Sequence, residues 1–259
     1  MNDLLQLVSF FDTISLNEMS GVRLLNRVDT KYVVSPAVLV NVLAEHIDDY
    51  SIVAVNNKVN LAYSTIYFDT SDLAMYQEHH NGKNRRYKVR YRKYEETGDK
   101  FIEVKQKFKN RTNKERLRVN KFDYPIEEGL QSIVHDCTPY KADELERKLT
   151  TKFNRITLVN KKACERITID LDIHFCNENN ESFYMPSCAI VEIKRDKEGV
   201  FSSFARTLKS KGVLPLSISK YCLGTIALNN SVKYNRFKPR LRKVERLIAR
   251  EEQHLAMVV

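Results

Sequence analysis

The stretch that decides the fold reads Arg85-Arg86-Tyr87-Lys88-Val89-Arg90-Tyr91-Arg92-Lys93, and Phe101-Ile102-Glu103-Val104-Lys105-Gln106-Lys107 follows it closely. Successive side chains of a β-strand point to opposite faces of the sheet. As strands, both stretches therefore carry charged side chains on one face and mostly apolar side chains on the other. The connection between them, Glu95-Glu96-Thr97-Gly98-Asp99, is polar, contains a glycine and has the length of a hairpin loop. We predict a β-hairpin with one charged face.

The same alternation recurs along the chain. It predicts further strands at 24–34, 61–68, 113–119, 153–160, 164–175 and 188–194, which makes about eight strands in all. Helical patterns lie at 3–19, 71–80, 127–135, 141–151, 200–211, 218–229 and 240–255. A further helix begins at Ser35-Pro36, an N-cap residue followed by proline at the first helical position.

Strands with one apolar and one basic face have two stable arrangements. An open sheet rests its apolar face on helices and exposes its charges, whereas a closed barrel turns its charges into a lumen. The residues alone leave both arrangements open. Enclosed cations repel one another, so a closed barrel would need a polyanion and water to compensate them.

Composition narrows the class of protein and of partner. The chain has 259 residues, of which 42% are hydrophobic and 29% charged, as expected for a soluble globular protein. We expect one domain over 1–259, with its core at about 20–230 and a basic helix at about 240–255. The formal net charge of +10 predicts a polyanionic partner, namely nucleic acid, an anionic membrane or a phosphorylated ligand.

Cysteine spacing and the termini predict the compartment. The cysteines are widely spaced and form no Cys-x-x-Cys pair, which argues against a zinc site and against a disulfide framework. The N-terminus lacks a basic signal-peptide region, and no apolar run is long enough to cross a bilayer. We expect a cytoplasmic protein with reduced thiols.

An ordered set of motifs resembles a known family. The set comprises Arg27-Val28-Asp29-Thr30-Lys31-Tyr32, Ile66-Tyr67-Phe68-Asp69-Thr70, Lys88-Val89-Arg90-Tyr91-Arg92, Ile102-Glu103-Val104-Lys105, Asn154-Arg155, Arg166-Ile167-Thr168-Ile169-Asp170, Val191-Glu192-Ile193-Lys194 and Ser219-Lys220-Tyr221. Over roughly 20–230 it resembles the VTC domain, the polyphosphate polymerase domain of the vacuolar transporter chaperone complex. Single pieces are weak signals, but their order is specific.

The resemblance implies a fold and an activity. VTC domains belong to the CYTH-like triphosphate tunnel metalloenzymes, so the implied fold is α+β, an eight-stranded antiparallel β-barrel with surrounding helices. The implied activity is transfer of the γ-phosphoryl group of a nucleoside triphosphate onto a polyphosphate chain, with Mn²⁺ or Mg²⁺. The implied partners are nucleoside triphosphate, polyphosphate or another inorganic polyanion.

The resemblance also assigns residues. The implied catalytic phosphate contacts are Lys31, Arg90, Arg92, Lys105, Arg155, Arg166, Lys194 and Lys220. Further substrate contacts would be Lys88, Lys107, Lys114, Arg116 and Ser219. Glu192 would hold the metal ion, with Glu103 as the next candidate.

The chain departs from the family pattern in three respects. Phe153 stands where the family has a tyrosine, which predicts one phosphate hydrogen bond fewer. The Glu-x-Glu-x-Lys signature of the hydrolytic and cyclase branches is absent from the first strand, where Arg27, Asp29 and Lys31 stand. We also expect neither an N-terminal regulatory domain nor a membrane-spanning segment after the barrel.

Other functions remain open on the sequence. The same basic face would suit a metal-dependent hydrolase of triphosphate or short polyphosphate, in which only the acceptor differs. It would also suit a non-catalytic polyanion-binding module, although base-specific RNA recognition is disfavoured because stacking platforms are lacking.

Structural roles compete for some of the same residues. Glu103 and Glu192 could be cross-strand ion-pair partners, and Asp170 and Asp172 fit internal counter-ions. We expect the paired histidines before Gly82 to lie on the surface. The C-terminal helix is expected to pack on its own domain rather than to cover a tunnel mouth or lie peripherally on an anionic membrane.

Overall fold

The structure is a computed structural model that describes residues 2–20, 27–109, 111–126, 130–197 and 201–258. Its strands are β1 Asp12–Ile14, β2 Arg27–Val34, β3 Tyr50–Val53, β4 Leu61–Asp69, β5 Arg85–Tyr94, β6 Lys100–Phe108, β7 Arg111–Arg118, β8 Glu146–Asn160, β9 Glu165–Asn177, β10 Ser182–Met185 and β11 Ala189–Asp196. Its helices are α1 Asn2–Val8, α2 Leu16–Ser20, α3 Pro36–Ala44, α4 Ala74–Asn81, α5 Gln131–Cys137, α6 Ser203–Ser210, α7 Lys220–Leu228 and α8 Lys238–Val258. One-turn 3₁₀ helices lie at Ala142–Glu144 and Asn235–Phe237.

The main sheet has eight strands in the order β2-β11-β9-β8-β4-β5-β6-β7, and all neighbours are antiparallel. The short strands β1, β3 and β10 attach beside this path. No ladder joins β2 to β7 within the described residues, so the sheet is a half-barrel. The predicted eight-stranded antiparallel sheet with surrounding helices is confirmed, and the charged side of the sheet forms a concave surface.

The sheet curls so that side chains from its two ends influence each other on the concave face. Lys31 on β2 and Lys107 on β6 lie near opposite ends of the strand order, yet the Lys31 charge helps to lower the pKa of Lys107, after burial and Arg86. The geometry agrees, because Lys31 Nζ on β2 donates to the Ile218 carbonyl at 3.4 Å and Lys88 Nζ on β5 donates to the neighbouring Ser219 Oγ at 2.8 Å. The two ends of the sheet therefore approach each other around the charged face.

The predicted hairpin is confirmed as β5 and β6. Lys88 opposes Lys105 and Arg90 opposes Glu103 on the concave face. The alternate positions of both strands are buried on the convex face, at Tyr87, Val89, Tyr91, Ile102 and Val104. Burying such side chains contributes roughly 1.5–3 kcal/mol each, which fixes the register and so the facing of the charges.

Three apolar cores hold the helices on the sheet. The first covers the convex face of β2, β8, β9 and β11 with α1, α3 and α6, and the third covers β4, β5 and β6 with α5. The second core contains Tyr67, which opposes Arg90 in the ladder, so this core lies on the concave face. It packs α4, α7 and α8 against one end of the half-barrel. The predicted packing of the C-terminal helix on its own domain is confirmed, through Leu241, Val244, Leu247 and Ile248.

Two local features place the start of α7 over the concave face. Gly224 lies where α7 touches the sheet, and a Cβ there would come within 2.5 Å of a Phe175 ring carbon and 2.7 Å of Leu149 Cδ2. The fully buried Asp69 accepts hydrogen bonds from the backbone of Met75 and Tyr76 and from the Tyr221 hydroxyl. These contacts tie α7 to the end of β4 and to α4.

Some predicted elements are wrong. The helix predicted over 3–19 is divided by β1, and Ser15 and Glu18 form a capping box that starts α2 as a new helix. The helix predicted over 141–151 is the 3₁₀ turn followed by the start of β8. Leu145 and Leu149 are spaced as on a helix, but pairing of this segment with both β4 and β9 overrides that local pattern. Parts of the predictions at 24–34, 127–135 and 200–211 fall outside the described residues.

Within the described ranges, no helix combines the length and the apolar character needed to span a membrane.

We predict that Gly224→Ala destabilises the protein and displaces α7. The added methyl group would overlap the buried Phe175 and Leu149 side chains, and overpacking of this kind costs about 1–3 kcal/mol. This loss would exceed the gain of about 1 kcal/mol in helix propensity from replacing glycine. Thermal unfolding should show a lower Tm for Gly224→Ala; an unchanged or higher Tm would mean that α7 does not depend on this close contact.

Candidate functional site

A cluster of cations lines the concave face and is called here the cationic cup. It consists of Lys31, Lys88, Arg90, Arg92, Lys105, Lys114, Arg155, Lys194 and Lys220, all of which the sequence placed in the site. Three carboxylates, Glu103, Asp170 and Glu192, each hold two of these cations.

Glu103 on β6 is fully buried between β5 and β7. Arg90 donates to Glu103 Oε2 from Nε at 2.8 Å and from Nη2 at 2.6 Å, while Lys114 donates to Oε1. Burial alone would raise the pKa of Glu103, but the charges of Arg90, Arg92 and Lys114 lower it well below its ordinary value. Glu103 is therefore an ionised counter-ion with both oxygens engaged.

Asp170 on β9 joins β8 to α7. Arg155 donates to it through a two-bond fork, from Nε at 2.5 Å and from Nη2 at 2.8 Å, and Lys220 donates to Oδ2. Burial opposes ionisation, but Arg155 and Lys220 lower the pKa of Asp170. The predicted counter-ion role of Asp170 agrees with this geometry, whereas Asp172 accepts from Asn154 and Tyr184 instead.

Glu192 on β11 is the most exposed of the three cup carboxylates, with 20% of its side chain exposed. Its Oε1 lies 3.6 Å from Lys31 Nζ, and its Oε2 accepts from Lys194. Burial raises its pKa, but Lys31 and Lys194 together bring it well below the ordinary value. A carboxylate that is ionised, close to solvent and held beside two lysines can bind a divalent ion together with phosphate oxygens.

Three cup cations, Lys88, Arg92 and Lys105, lack a carboxylate partner within the described residues. The Arg92 Nε atom is buried without a hydrogen bond. Lys105 lies between two other lysines in the ladder, opposite both Lys88 and Lys114. The charge of Arg90 and burial lower the pKa of Lys105 well below its ordinary value. The cup therefore carries more positive charge than its carboxylates compensate.

The start of α7 closes one side of the cup. Ser219 is the N-cap of α7; its Oγ accepts from the Cys222 backbone at 3.4 Å and from Lys88 Nζ at 2.8 Å. Next to it, Cys222 Sγ lies 3.2 Å from His79 Nδ1. The surface placement expected for the paired histidines is wrong, because His80 is buried and His79 packs against α7.

An aromatic floor underlies the cations; the sequence placed Phe153 at the site but did not predict its ring contacts or Tyr63. The rings of Tyr63 and Phe153 stack with centroids 5.4 Å apart. The Phe153 ring lies 4.5 Å from Lys220 Nζ, 5.2 Å from the Arg155 guanidinium carbon and 6.0 Å from that of Arg92. Cations over aromatic faces are stabilised by the ring quadrupole. Strand alternation was the only sequence signal that could have indicated that Tyr63 lies in the site.

The remaining predicted residues lie at the margins of the cup. Arg166 is half-buried near Arg155, whose charge helps to lower its pKa after burial and Arg27. Arg116 is exposed on the edge strand β7, opposite Glu103 in the ladder and 4.9 Å from the Phe101 ring centre. Lys107 is exposed near the end of β6.

A sequence model of the VTC domain matches residues 26–229, most of the chain and all of the cup. This chain belongs to the VTC domain family. The resemblance read from the motifs is thereby confirmed. No curated protein matches this VTC domain closely enough to be reported.

Several solved structures resemble this VTC domain weakly. A "putative adenylate cyclase" from Bacillus halodurans is 14% identical, with 75% of this chain and 94% of that chain covered and a TM-score of 0.48. One from Vibrio parahaemolyticus is also 14% identical, covering 76% and 97%, with a TM-score of 0.45. A "putative adenylyl cyclase" from Hippeastrum, described as having a dominant triphosphatase activity, is 11% identical, covering 78% and 96%, with a TM-score of 0.43.

The residues of this VTC domain fit a metal ion only in part. No group of three or more His, Cys, Asp or Glu side chains is arranged around a common point in the described ranges. A single carboxylate with substrate phosphates and water is nonetheless a common way to hold Mg²⁺ or a similar ion. Glu192 fits that description. Glu103 does not, because its side chain has no exposed surface and Arg90 and Lys114 hydrogen-bond both its oxygens. Glu192 is 20% exposed, and its Oε1 lies 3.6 Å from Lys31 Nζ, beyond a normal hydrogen bond.

A cleft of about 420 Å³ lies away from the cup, beyond the end of α7. Asparagine side chains line this cleft together with Glu178 and Glu181. Lys148 also lines it and forms ion pairs with Glu146 and Glu178. Carboxylates of this kind disfavour an anion there. The candidate site for a polyanion is therefore the cup.

We predict opposite pH dependences for stability and for anion binding. Burial and Arg155 lower the pKa of Lys194 from 10.5 to about 8 in the folded protein. Between these two values the unfolded chain binds a proton that the folded chain does not, so the free energy of unfolding should rise with pH there. A bound anion favours the charged ammonium, so tripolyphosphate affinity should fall above about pH 8, by up to about tenfold per pH unit for each proton taken up.

Lys194→Arg is the matched control, because a guanidinium stays charged over this range. Melting curves and tripolyphosphate titrations at several pH values, at constant ionic strength, would measure both effects. The ionisation of the ligand itself is the same for both proteins and cancels. Identical pH profiles for the two proteins would contradict the assignment of Lys194 as a titrating phosphate contact.

Proposed function

We propose that this VTC domain is a polyphosphate polymerase-like phosphotransferase. It would move the γ-phosphoryl group of a nucleoside triphosphate onto a polyphosphate chain in the cationic cup. The observation that carries the proposal is the excess of cations over carboxylates in the cup. Arg92 and Lys105 face the concave surface without a carboxylate partner among the described residues, and such groups are costly unless a polyanion binds.

Family membership and the cup together support a protein that binds or processes triphosphates. The proposed phosphate contacts are the arginines and lysines of the cup with Ser219, and those at its margins, Arg116, Arg166 and Lys107, would contact the ends of the ligand. We further infer that the chain acts as one domain, because α8, which follows the matched residues, packs on the same core as α7. The cytoplasmic location stays a prediction, which free cysteines fit.

The chemistry asks for positioning and for neutralisation of spreading negative charge rather than for covalent catalysis. Arg90 and Arg155 are held rigidly by Glu103 and Asp170, so their remaining donors are fixed in direction. Lys105 and Arg92 supply uncompensated charge. A divalent ion, Mn²⁺ or Mg²⁺, would be held by Glu192 and would neutralise charge between phosphate groups. Lys31 and Lys194 would keep Glu192 ionised and oriented.

Incubation of the purified protein with ATP and Mn²⁺ tests the proposal directly. We expect long polyphosphate chains and ADP, resolved by gel electrophoresis and by ³¹P NMR. Release of orthophosphate without chains would indicate that water is the acceptor and would replace polymerase by hydrolase. Tripolyphosphate binding without turnover across several nucleotides and metals would indicate a binding module.

We predict that Glu192→Gln and Glu103→Gln, which make the same chemical change, have different effects. Glu192→Gln removes the charge that a hard cation needs, so turnover should fall roughly 100-fold, about 2.7 kcal/mol in activation free energy. Tripolyphosphate affinity should be retained or improved, since one anion has left the cup. Glu103→Gln leaves Arg90 and Lys114 without their counter-ion, and should lower stability by about 3–5 kcal/mol.

Turnover against Mn²⁺ concentration, Tm and tripolyphosphate affinity on both variants would separate these roles. Bound tripolyphosphate should raise the Tm of Glu103→Gln more than that of the wild type, because it replaces the lost anion. If Glu192→Gln keeps metal-dependent turnover and loses only stability, Glu192 is a counter-ion and the metal assignment fails.

A further inference from the structure

The first turn of α8 lies beside the open end of the cup. Arg236, just before α8, donates from its side chain to the Asn81 carbonyl, and its backbone N–H lies 3.4 Å from His80 Nε2. These contacts bring the start of α8 to the end of α4, next to the first residues of β5. Gly82 takes a positive φ of 71° at that point, and a Cβ there would come within 3.1 Å of the Arg236 guanidinium.

Cations stand on both sides of this opening. On the sheet side, Arg86 shares the face of Lys88 and opposes Lys107 in the ladder. On the helix side, Arg240 borders a narrow cleft together with Ser219 and Cys222. Lys243 lies one turn further along α8, on the same side as Arg240. These four residues, Arg86, Lys107, Arg240 and Lys243, are called here the mouth cations.

The two sides face each other across His79 and Cys222. The thiol of Cys222 contacts His79, and Cys222 also lines the cleft beside Arg240. Burial, Lys88, Arg86, Lys31 and Lys107 lower the pKa of His79 to about 2. His79 is therefore neutral, and the positive field from the sheet side reaches the contact between α4 and α7.

The mouth cations resemble Lys88, Arg92 and Lys105 of the cup in having no carboxylate partner among the described residues. In the described ranges, none of the four makes a salt bridge, whereas each cup carboxylate holds two cations. Arg240 contacts the Phe237 ring at 5.5 Å. Their charge continues that of the cup through Lys88 and Ser219, which are hydrogen-bonded to each other at 2.8 Å. A linear polyanion that leaves the cup meets positive charge without a break.

We propose that the mouth cations form a second subsite, which binds the distal phosphates of a polyphosphate chain whose end lies in the cup. This rests on the proposed function, since it takes the cup as the site of the chain end. The helix side of the subsite, Arg240 and Lys243, lies after the matched residues 26–229. The subsite gives long chains an affinity that short ones lack, because each further neutralised phosphate releases counter-ions.

The experiment compares two ligands and two double variants. Arg240→Gln/Lys243→Gln removes two charges from one side of α8, the side on which Arg240 borders the cleft with Ser219. Lys238→Gln/Arg242→Gln removes two exposed charges from the same helix, and at 100° per residue these lie largely on the other side. Tripolyphosphate probes the cup, and long-chain polyphosphate probes cup and mouth together. Melting curves establish that all three proteins are folded.

We expect Arg240→Gln/Lys243→Gln to weaken long-chain polyphosphate binding about tenfold and to leave tripolyphosphate binding within about twofold. The slope of log K against log salt for the long chain should become shallower by roughly one to two units. Lys238→Gln/Arg242→Gln should change long-chain affinity by less than about twofold.

Three results would overturn the proposal: equal losses in both variants, an unchanged long-chain affinity, or an equal loss for tripolyphosphate. Binding of phosphatidylserine vesicles that Arg240→Gln/Lys243→Gln abolishes, with long-chain affinity intact, would assign the surface to a membrane instead. Failure of the wild type to bind tripolyphosphate would count against the cup and the proposed function, and is distinguishable from each of these results.

Discussion

Repulsion between like charges on one concave face is the constraint on which the rest of the structure depends. Two unit charges 4 Å apart repel by about 4 kcal/mol at an effective dielectric of 20. Each cup carboxylate offsets two cations and joins separate elements in doing so. Glu103 links β5, β6 and β7, Asp170 links β8, β9 and α7, and Glu192 links β2 and β11. Arg92 and Lys105 have no carboxylate partner among the described residues, and a polyanion would bind to their charges.

The apolar cores make this arrangement rigid. Convex-face residues such as Val89, Tyr91 and Ile102 fix the strand register, and therefore which side chains face the cup. Gly224 and Asp69 hold α7 close to the sheet, which brings Ser219 to Lys88 and Lys220 to Asp170. Phosphoryl transfer depends on fixed positions more than on reactive groups, so stability and function have the same structural origin here.

Sequence reasoning succeeded where the signal was local. Alternation predicted the β5–β6 hairpin and its charged face, and Ser35-Pro36 predicted the start of α3. It failed where contacts with distant parts of the chain determine the local structure. Residues 146–151 look helical alone but pair with two strands, and Tyr50–Val53 is buried at every position, so β3 shows no alternation. The surface placement of the histidines failed for the same reason, since Cys222 of α7 contacts His79 and the Phe237 ring packs on both histidines.

The sequence by itself determined the strand periodicity, the basic face and the family, because each is carried by neighbouring residues or by the order of motifs. Only the tertiary structure decided which carboxylate forms an ion pair with which cation. It separated Glu103, closed between Arg90 and Lys114, from the more open Glu192, although both lie two residues before a lysine on a strand. Pairs such as Lys88 with Ser219, 131 residues apart, form only when the sheet curls and α7 docks. Distances through space are set by packing, and no local pattern encodes them.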